Sequence, residues 1–397
     1  MVGSGGREHA LAWKLAASPS LTALHAAPGN PGIAALGDCH PVRAEDSESL
    51  LALAGSLGVD LVVVGPEAPL VAGVADELRH SGIGVFGPGA GAAAIEGSKS
   101  FAKAVMQAAR VPTAATMAIA RPPCVVKADG LAGGKGVVVC QTQDELDAGL
   151  AAVSGFGGSL VIEELLEGPE VSLLAICDGR DALALAPARD YKRAYDGDEG
   201  PNTGGMGAFA PVPDFDRAGI EDLVNRVHRP VVAELARRGM PFVGLLYAGL
   251  MLTAEGPKVL EFNCRFGDPE TQAVLPLVDG DLLEALAAAA RGELAGVSLR
   301  RAEGAAVTVV LAAGGYPATD DRGSPIDGLD RAEAEGALVF HAGTARQQGR
   351  VVTNGGRVVA VTGRGETVAA ARCVAYAAAE QISFPGVRYR TDIALGV

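Results

Sequence analysis

The residues best suited to chemistry lie in one string, Glu261-Phe-Asn263-Cys-Arg265-Phe-Gly-Asp268. Alternate side chains of a strand share a face. Val259, Glu261, Asn263 and Arg265 are therefore expected to point one way, with Leu260, Phe262, Cys264 and Phe266 packed the other. A carboxylate and an amide oxygen followed by a guanidinium suit a Mg²⁺–phosphate site, because Mg²⁺ takes few protein oxygens and leaves its other positions to phosphates and water. A merely solvated strand face is the plainer alternative.

A second string, Lys127 to Gly136, places two lysines among four glycines. A Walker phosphate loop needs Ser or Thr after its lysine, and here Gly136 follows Lys135. Such a loop suits a flap closing over a triphosphate, with Lys127 fixed at the end of an apolar strand and Lys135 moving. Val161 to Glu170 reads as a strand leaving a small lobe, compatible with a hinge whose backbone pairs with adenine. Arg189 to Arg193, then Asp196, Asp198 and the glycine-dense stretch 200–207, joins cations to exposed amides and suits carboxylate or phosphate. Gly3-Ser4-Gly5-Gly6 could offer amides to a phosphate at a helix N-terminus. A dinucleotide is disfavoured, since Glu8 stands where the fingerprint needs glycine and residues 23–28 lack the required acid. The six histidines show no metal spacing, and His9 reads as structural.

Elements must position these groups. Short apolar runs alternate with helical patterns near the N-terminus and enter glycine or proline turns at 3–6, 28–30, 65–67 and 87–89. That pattern predicts a parallel α/β sheet with all four turns on its carboxyl edge, where such sheets bind ligands. Ser98 should cap a helix whose apolar face is Phe101, Val105 and Ala108, ended by Val111-Pro112. Asn354-Gly355 signals a two-residue hairpin, and an apolar helix follows around 366–381. Four segments result: an N-terminal α/β substrate-binding domain at 1–98, a linker helix and lid lobe at 99–178, a main lobe at 179–300, and a β-rich domain at 301–397.

At 397 residues and 49% hydrophobic, the chain can bury several cores. A net charge of −14 argues against a nucleic-acid binder. Local cations matter more than the total, and of seven lysines, Lys99, Lys127, Lys135 and Lys192 fall in or beside the motifs. The six cysteines form no C-x-x-C pair and fit a reducing compartment. No apolar run approaches the roughly 20 residues of a membrane helix. These features lead to the expectation of a cytoplasmic, soluble protein.

Taken in order, GSGGREHA at 3–10, PGN at 28–30, GPEAPL at 65–70, EGSK at 96–99, KADGLAGGKGV at 127–137, GPNTGGMGA at 200–208, EFNCRFGDPETQ at 261–272 and AAGGYP at 312–317 resemble the phosphoribosylamine–glycine ligases of the ATP-grasp superfamily. FHAGT and VVTNGGRV near 340–358 extend the likeness over nearly the whole chain. EFN and the two lysines are shared with other ATP-grasp enzymes, while GREHA, GPNTGGMGA and CRFGDPETQ are far more specific.

The resemblance implies an N-terminal Rossmann-like (pre-ATP-grasp) domain, a two-lobed ATP-grasp domain and a C-terminal β-rich domain. It implies that ATP converts glycine to glycyl phosphate and that 5-phosphoribosylamine then displaces phosphate. Lys99 and Lys127 would contact ATP phosphates, with Gly133, Gly134, Lys135 and Gly136 closing above them. Glu163, Glu164, Leu165 and Leu166 would line adenine, and Glu170 the ribose. Glu261 and Asn263 would bind Mg²⁺ or Mn²⁺, and Arg265, Lys127 and Lys135 would serve the chemistry. Gly3, Gly5, Gly6, Asn30, Glu67, Asp190, Asn202, Thr203, Gly204, Gly205, Arg265 and Asp268 would meet glycine or phosphoribosylamine. A monomer is expected, with transient contact to the upstream amine-producing enzyme. Rival readings are another purine-pathway ATP-grasp ligase or carboxylase and a non-catalytic nucleotide-binding protein. The chain departs from the family in having only Met1 and Val2 before the first turn and only Thr113–Val126 before Lys127. A stunted first strand and an abbreviated lid follow.

Overall fold

The computed structural model describes residues 1–131, 136–156 and 159–397. Val2–Gly3 pairs in parallel with His25–Pro28, which pairs onward with Asp38–Cys39. On its other side Val2 bridges to Val64, and Leu61–Val63 pairs in parallel with Gly84–Phe86. The common direction gathers the turns at Gly3, Pro28, Gly65 and Gly87 on one edge, beside the N-terminus of helix Gly6–Ala16. The first strand is indeed two residues long. Next to it lies an apolar groove of about 320 Å³ whose walls include Leu15, Leu24, Leu50, Leu61 and Leu78. The Met1 ammonium donates to the His25 carbonyl at 2.8 Å, and burial lowers its pKa to about 6.

Ser98 caps helix Lys99–Ala109, its hydroxyl accepting from the Phe101 amide at 3.2 Å. Its buried residues are Ala102, Val105 and Met106. Ala108, expected on that face, is exposed because the stripe follows i, i+3, i+4 from Ala102. The lid is an antiparallel sheet in the order Val137–Cys140, Cys124–Ala128, Leu160–Glu164, covered by helix Gln143–Ser154. Its core is small: Cys124, Val126, Ala128, Cys140, Leu146 and Val153. No helix occupies 112–123.

The main lobe is an antiparallel sheet in the order Ala182–Ala184, Glu170–Asp178, Val243–Thr253, Gly256–Asn263. Its last pairing slips register: Gly249 faces Glu261 but Leu250 faces Val259, which leaves Leu260 unopposed. This bulge corrects the expected strand faces. Val259 packs in one core with Phe262 and Cys264, whereas Leu260 joins Ala114, Leu166 and Met251 in a separate apolar patch. Bulges beside clefts re-aim side chains in this way.

The C-terminal region builds a five-stranded antiparallel sheet in the order Arg189–Asp190, Gly207–Ala210, Ala305–Ala312, Arg357–Gly365, Leu338–His341. Two of those strands come from residues 189–210, so the glycine-dense loop between them hangs from the C-terminal sheet. Helix Val368–Ala379 packs its buried alanines, including Ala371, Ala375 and Ala378, into the same core as Val307, Val309 and Val361. The hairpin expected at Asn354-Gly355 is absent. Strand Arg350–Gly355 pairs with Thr344–Gln347 and Asp321–Pro325, and after Gly355 the chain crosses into the five-stranded sheet. The tight turn falls instead at Gln348-Gly349, with φ of 48° and 81°, between the paired residues Gln347 and Arg350. Among the described residues no helix is long and apolar enough to cross a membrane.

Candidate active site

Beyond the bulge, Glu261 and Asn263 stand two residues apart on one strand, opposite Gly249 and Tyr247. Burial works to raise the Glu261 pKa, but Lys192, Lys127, Lys99 and Arg265 together hold it below the usual carboxylate range. Glu261 therefore sits in the field of four cations drawn from four segments, with the Asn263 amide two residues along the same strand. Lys127 lies inside the lid strand, and its Nζ donates to the Leu260 carbonyl at 3.0 Å, a group released from the ladder by the bulge. Lys99 Nζ donates to the Gly130 carbonyl at 3.3 Å, and Ser98 Oγ donates to Asp129 at 2.9 Å, tying the linker helix to the end of the same strand. The Gly136 carbonyl accepts from the Ala128 amide at 2.8 Å. Gly133, Gly134 and Lys135 lie outside the described residues.

Glu163 behaves differently from its expected place beside adenine. It is 2% exposed, and its carboxylate bridges Lys127 and Lys103, each at 2.7 Å. Burial lowers the Lys103 pKa against the pull of Glu163. Glu163 thus neutralises two buried lysines with its side chain while its backbone stays in the lid sheet. Glu164 accepts from the Ala115 amide at 2.9 Å and meets Lys258 at 3.4 Å. The chain then leaves the sheet at Leu165 and Leu166, and the patch of Leu166, Ala114, Met251 and Leu260 forms an apolar surface where the lid meets the main lobe.

Across the main sheet Glu170 and Asp190 both approach Lys192, Asp190 at 3.8 Å. Burial pushes the Asp190 carboxyl up to about 7; Lys192 opposes this, while Glu270, Glu170 and Glu261 add to it. Burial disfavours the Lys192 charge, yet Asp190 and Glu170 hold its pKa above the usual range. Tyr247 donates to Glu270 at 2.9 Å and lies 2.7 Å from Ser172 Oγ beneath this cluster.

Arg265 departs from the single-face expectation. Its Nε meets Glu67 at 3.1 Å, Nη2 meets Glu96 at 3.2 Å, and Nη1 donates to the Phe266 carbonyl at 3.2 Å. It therefore joins the motif strand to the N-terminal domain while still acting on Glu261 through space. Glu67 lies at the start of helix Glu67–Val71. Burial raises its pKa less than Arg265 and Arg7 lower it. In the first turn Glu8 accepts from the Gly5 amide at 2.5 Å and pairs with Arg7, so that part of the expected phosphate cradle is already filled. A Cβ on Gly3, at φ 121°, would fall 2.7 Å from Glu8, which explains the glycine there. Asn30 spends its amide on the Ser4 and His341 carbonyls and its oxygen on the Gly32 and Ile33 amides. It fixes the turns rather than reaching into the cleft.

Asp268 accepts from Gln272 at 2.9 Å and from the Arg7 amide at 3.4 Å. Thr203 closes the glycine-dense loop, its hydroxyl donating to the Lys192 carbonyl at 2.8 Å and accepting from Gly205 at 3.0 Å. Asn202 pairs with Arg193. Gly205, at φ 110°, lies so close to Pro269 that a Cβ would come within 2.4 Å. A Cβ on Gly6 would come within 2.7 Å of Gln272. The first turn, the Asp268 turn and the 202–205 loop thus converge on one edge of the cleft.

Models of the phosphoribosylglycinamide synthetase N domain, ATP-grasp (A) domain and C domain match residues 1–96, 97–271 and 306–396. The chain belongs to the phosphoribosylglycinamide synthetase family. The phosphoribosylamine–glycine ligase of Streptomyces coelicolor is 51% identical over 410 residues, covering 99% of this chain and 98% of that protein. That of Mesorhizobium japonicum is 48% identical, covering 99% and 96%. The crystal structure of the phosphoribosylamine–glycine ligase from Thermotoga maritima superposes with a TM-score of 0.83 at 35% identity, covering 99% of this chain and 98% of that one.

The three-domain architecture of the family is the one described above, and an ATP-grasp ligase couples ATP, with a divalent metal, to bond formation. The donor set fits such a metal. A hard cation such as Mg²⁺ needs few protein oxygens, because phosphates and water supply the rest. Glu261 and Asn263 have no side-chain hydrogen bond to protein among the described residues, which leaves their oxygens available. Sequence reasoning missed Lys103, Glu96, Asp129, Glu270 and Arg357. Of these, Glu96, Asp129, Glu270 and Arg357 sit inside the quoted motifs EGSK, KADGLAGGKGV, EFNCRFGDPETQ and VVTNGGRV, whose polar residues could have drawn attention, and Lys103 lies outside them.

Proposed function

We propose that this phosphoribosylglycinamide synthetase family member joins glycine to 5-phosphoribosylamine at the cleft bounded by Glu261, Asn263, Lys99, Lys127 and Lys192. Adenine lies on the Leu166, Ala114, Met251 and Leu260 patch beside the Glu164–Leu166 strand exit, with Glu170 toward the ribose. Lys99 and Lys127 hold the phosphates, and the Gly133–Gly136 loop covers them. A divalent cation, Mg²⁺ or Mn²⁺, held by Glu261 and Asn263 neutralises phosphate charge. A glycine carboxylate oxygen bonds to the γ-phosphorus as the bridge to the β-phosphate breaks, leaving ADP and glycyl phosphate. The amine of phosphoribosylamine then bonds to the acyl carbon, the carbon–oxygen bond to phosphate breaks, and the nitrogen gives up a proton. Phosphoryl transfer of this kind needs positioning and charge neutralisation above all, and lysines converging on one acid–amide pair supply both.

The observation that carries the reading is the convergence on Glu261 of cations from the linker helix, the lid and the 189–193 segment, within family matches over residues 1–271 and 306–396. Purified protein with ATP, Mg²⁺, glycine and freshly generated phosphoribosylamine should yield glycinamide ribonucleotide and ADP in equal amounts, by mass and coupled assay. Turnover with formate or bicarbonate in place of glycine, or ATP binding without ADP, would overturn it. The protein is read as a cytoplasmic monomer; sedimentation velocity checks the oligomeric state.

A further inference from the structure

Arg357, at the start of strand Arg357–Gly365, reaches out of the C-terminal sheet into the edge where the first turn, the Asp268 turn and the 202–205 loop meet. One nitrogen does most of its work. Nη1 donates to the Gly204 carbonyl at 2.6 Å, the Asp268 carbonyl at 2.7 Å and the Gly205 carbonyl at 3.3 Å, and lies 3.4 Å from the Asp268 carboxylate. Tyr316, from the same region, accepts from the Gly204 amide at 2.9 Å. Among the described residues Nε and Nη2 have no partner, and the side chain is 22% exposed. The residue above this free edge is Gly204. A Cβ there would stand 3.0 Å from Cζ and 3.2 Å from Nη2. Any side chain at 204 would cover the outer guanidinium, and glycine leaves it open. Asp268 also accepts from the Arg7 amide in the first turn of helix Gly6–Ala16, so the free edge lies close to the carboxyl edge of the parallel sheet.

We propose that Arg357 is a specificity-determining residue that holds the phosphate monoester of phosphoribosylamine through Nε and Nη2, while Nη1 and Tyr316 fix the 202–205 loop. The inference rests on the ligase reading and assigns the phosphorylated substrate to a residue of the C-terminal region. A planar guanidinium with two parallel donors matches a phosphate's oxygens. Pinning Nη1 to three carbonyls orients the fork before the substrate arrives, which lowers the ordering cost of binding.

Three variants, Arg357→Met, Arg357→Lys and Gly204→Ala, test it alongside the unaltered enzyme. Ribose 5-phosphate and ribose serve as probes of the phosphate contact. Arg357→Met should raise KM for phosphoribosylamine about 10- to 100-fold, the range for losing a charge-assisted pair, with KM for ATP and glycine within about twofold. Inhibition by ribose 5-phosphate should weaken by a similar factor and that by ribose should not change. Added ethylguanidinium should restore part of the loss in Arg357→Met and none in Gly204→Ala. Gly204→Ala keeps the arginine and an ordinary backbone, so it should weaken ribose 5-phosphate alone even if Arg357→Met fails to fold. Lysine should restore charge but only part of the affinity. Unchanged ribose 5-phosphate inhibition in Gly204→Ala, or parallel losses for ATP and glycine in a folded Arg357 variant, would overturn the assignment. Failure of the unaltered enzyme to make product would instead remove the ligase reading.

Discussion

At the scale of single residues, the cleft works by opposing charges that are expensive to bury singly. Glu261 is the clearest case, since burial and four cations act on it in opposite directions. Replacing it with Ala should lower turnover by about 10²–10³, as for loss of one preorganised electrostatic group, without abolishing folding. Steady-state kinetics across a metal titration checks this, and near-normal metal-dependent turnover would remove Glu261 from the site. Glu163 is a second case with a different outcome. It lies between Lys103 and Lys127, nearly out of solvent. Glu163→Gln should cost about 3 kcal/mol of stability, because breaking a buried pair leaves uncompensated charge. Urea denaturation reads this directly; an unchanged midpoint would mean that the two lysines find other partners.

At the scale of elements, small irregularities do the positioning. The bulge at Leu260 turns Val259 into the core, frees a carbonyl for Lys127 and keeps Glu261 and Asn263 together. Period-two alternation predicts none of that, because a bulge depends on the partner strand. The Asn354-Gly355 signal failed for a related reason: the chain after it pairs with Ala305–Ala312 and Leu338–His341 rather than folding back. The true two-residue turn uses Gln348 at φ 48°, where a long side chain is unfavourable and Asn is tolerated. Gln348→Asn should therefore stabilise the protein by about 0.5 kcal/mol. Differential scanning calorimetry should show a small rise in Tm, and a fall would show that Gln348 carries no strain.

At the scale of the whole molecule, burial sets the response to pH. It lowers the pKa of His9 from 6.5 to about 3, and those of His228 and His341 to about 4. His9 Nδ1 accepts from the His341 amide at 2.8 Å, which joins the first helix to the C-terminal sheet only while the ring is neutral on that side. The unfolded chain binds these protons below about 6.5 and the folded chain does not, so stability is full above 6.5 and falls as pH drops toward 4. Asp190, raised to about 7, acts in the opposite sense over pH 7 to 4, but it is one group against three. The denaturation midpoint should decline from pH 7 to pH 5; a rise would contradict neutral buried histidines.

The chain order of motifs by itself determined the parallel N-terminal sheet, the capped helix at Ser98, the lysine in the lid strand and the acid–amide pair, because each depends on spacing of a few residues. Tertiary structure alone decided that Glu163 serves Lys103, that Arg265 serves Glu67 and Glu96, and that Arg357 reaches a loop 152 residues away. Those assignments depend on which charges share a buried volume, and pairing across long separations leaves no periodic trace along a single chain.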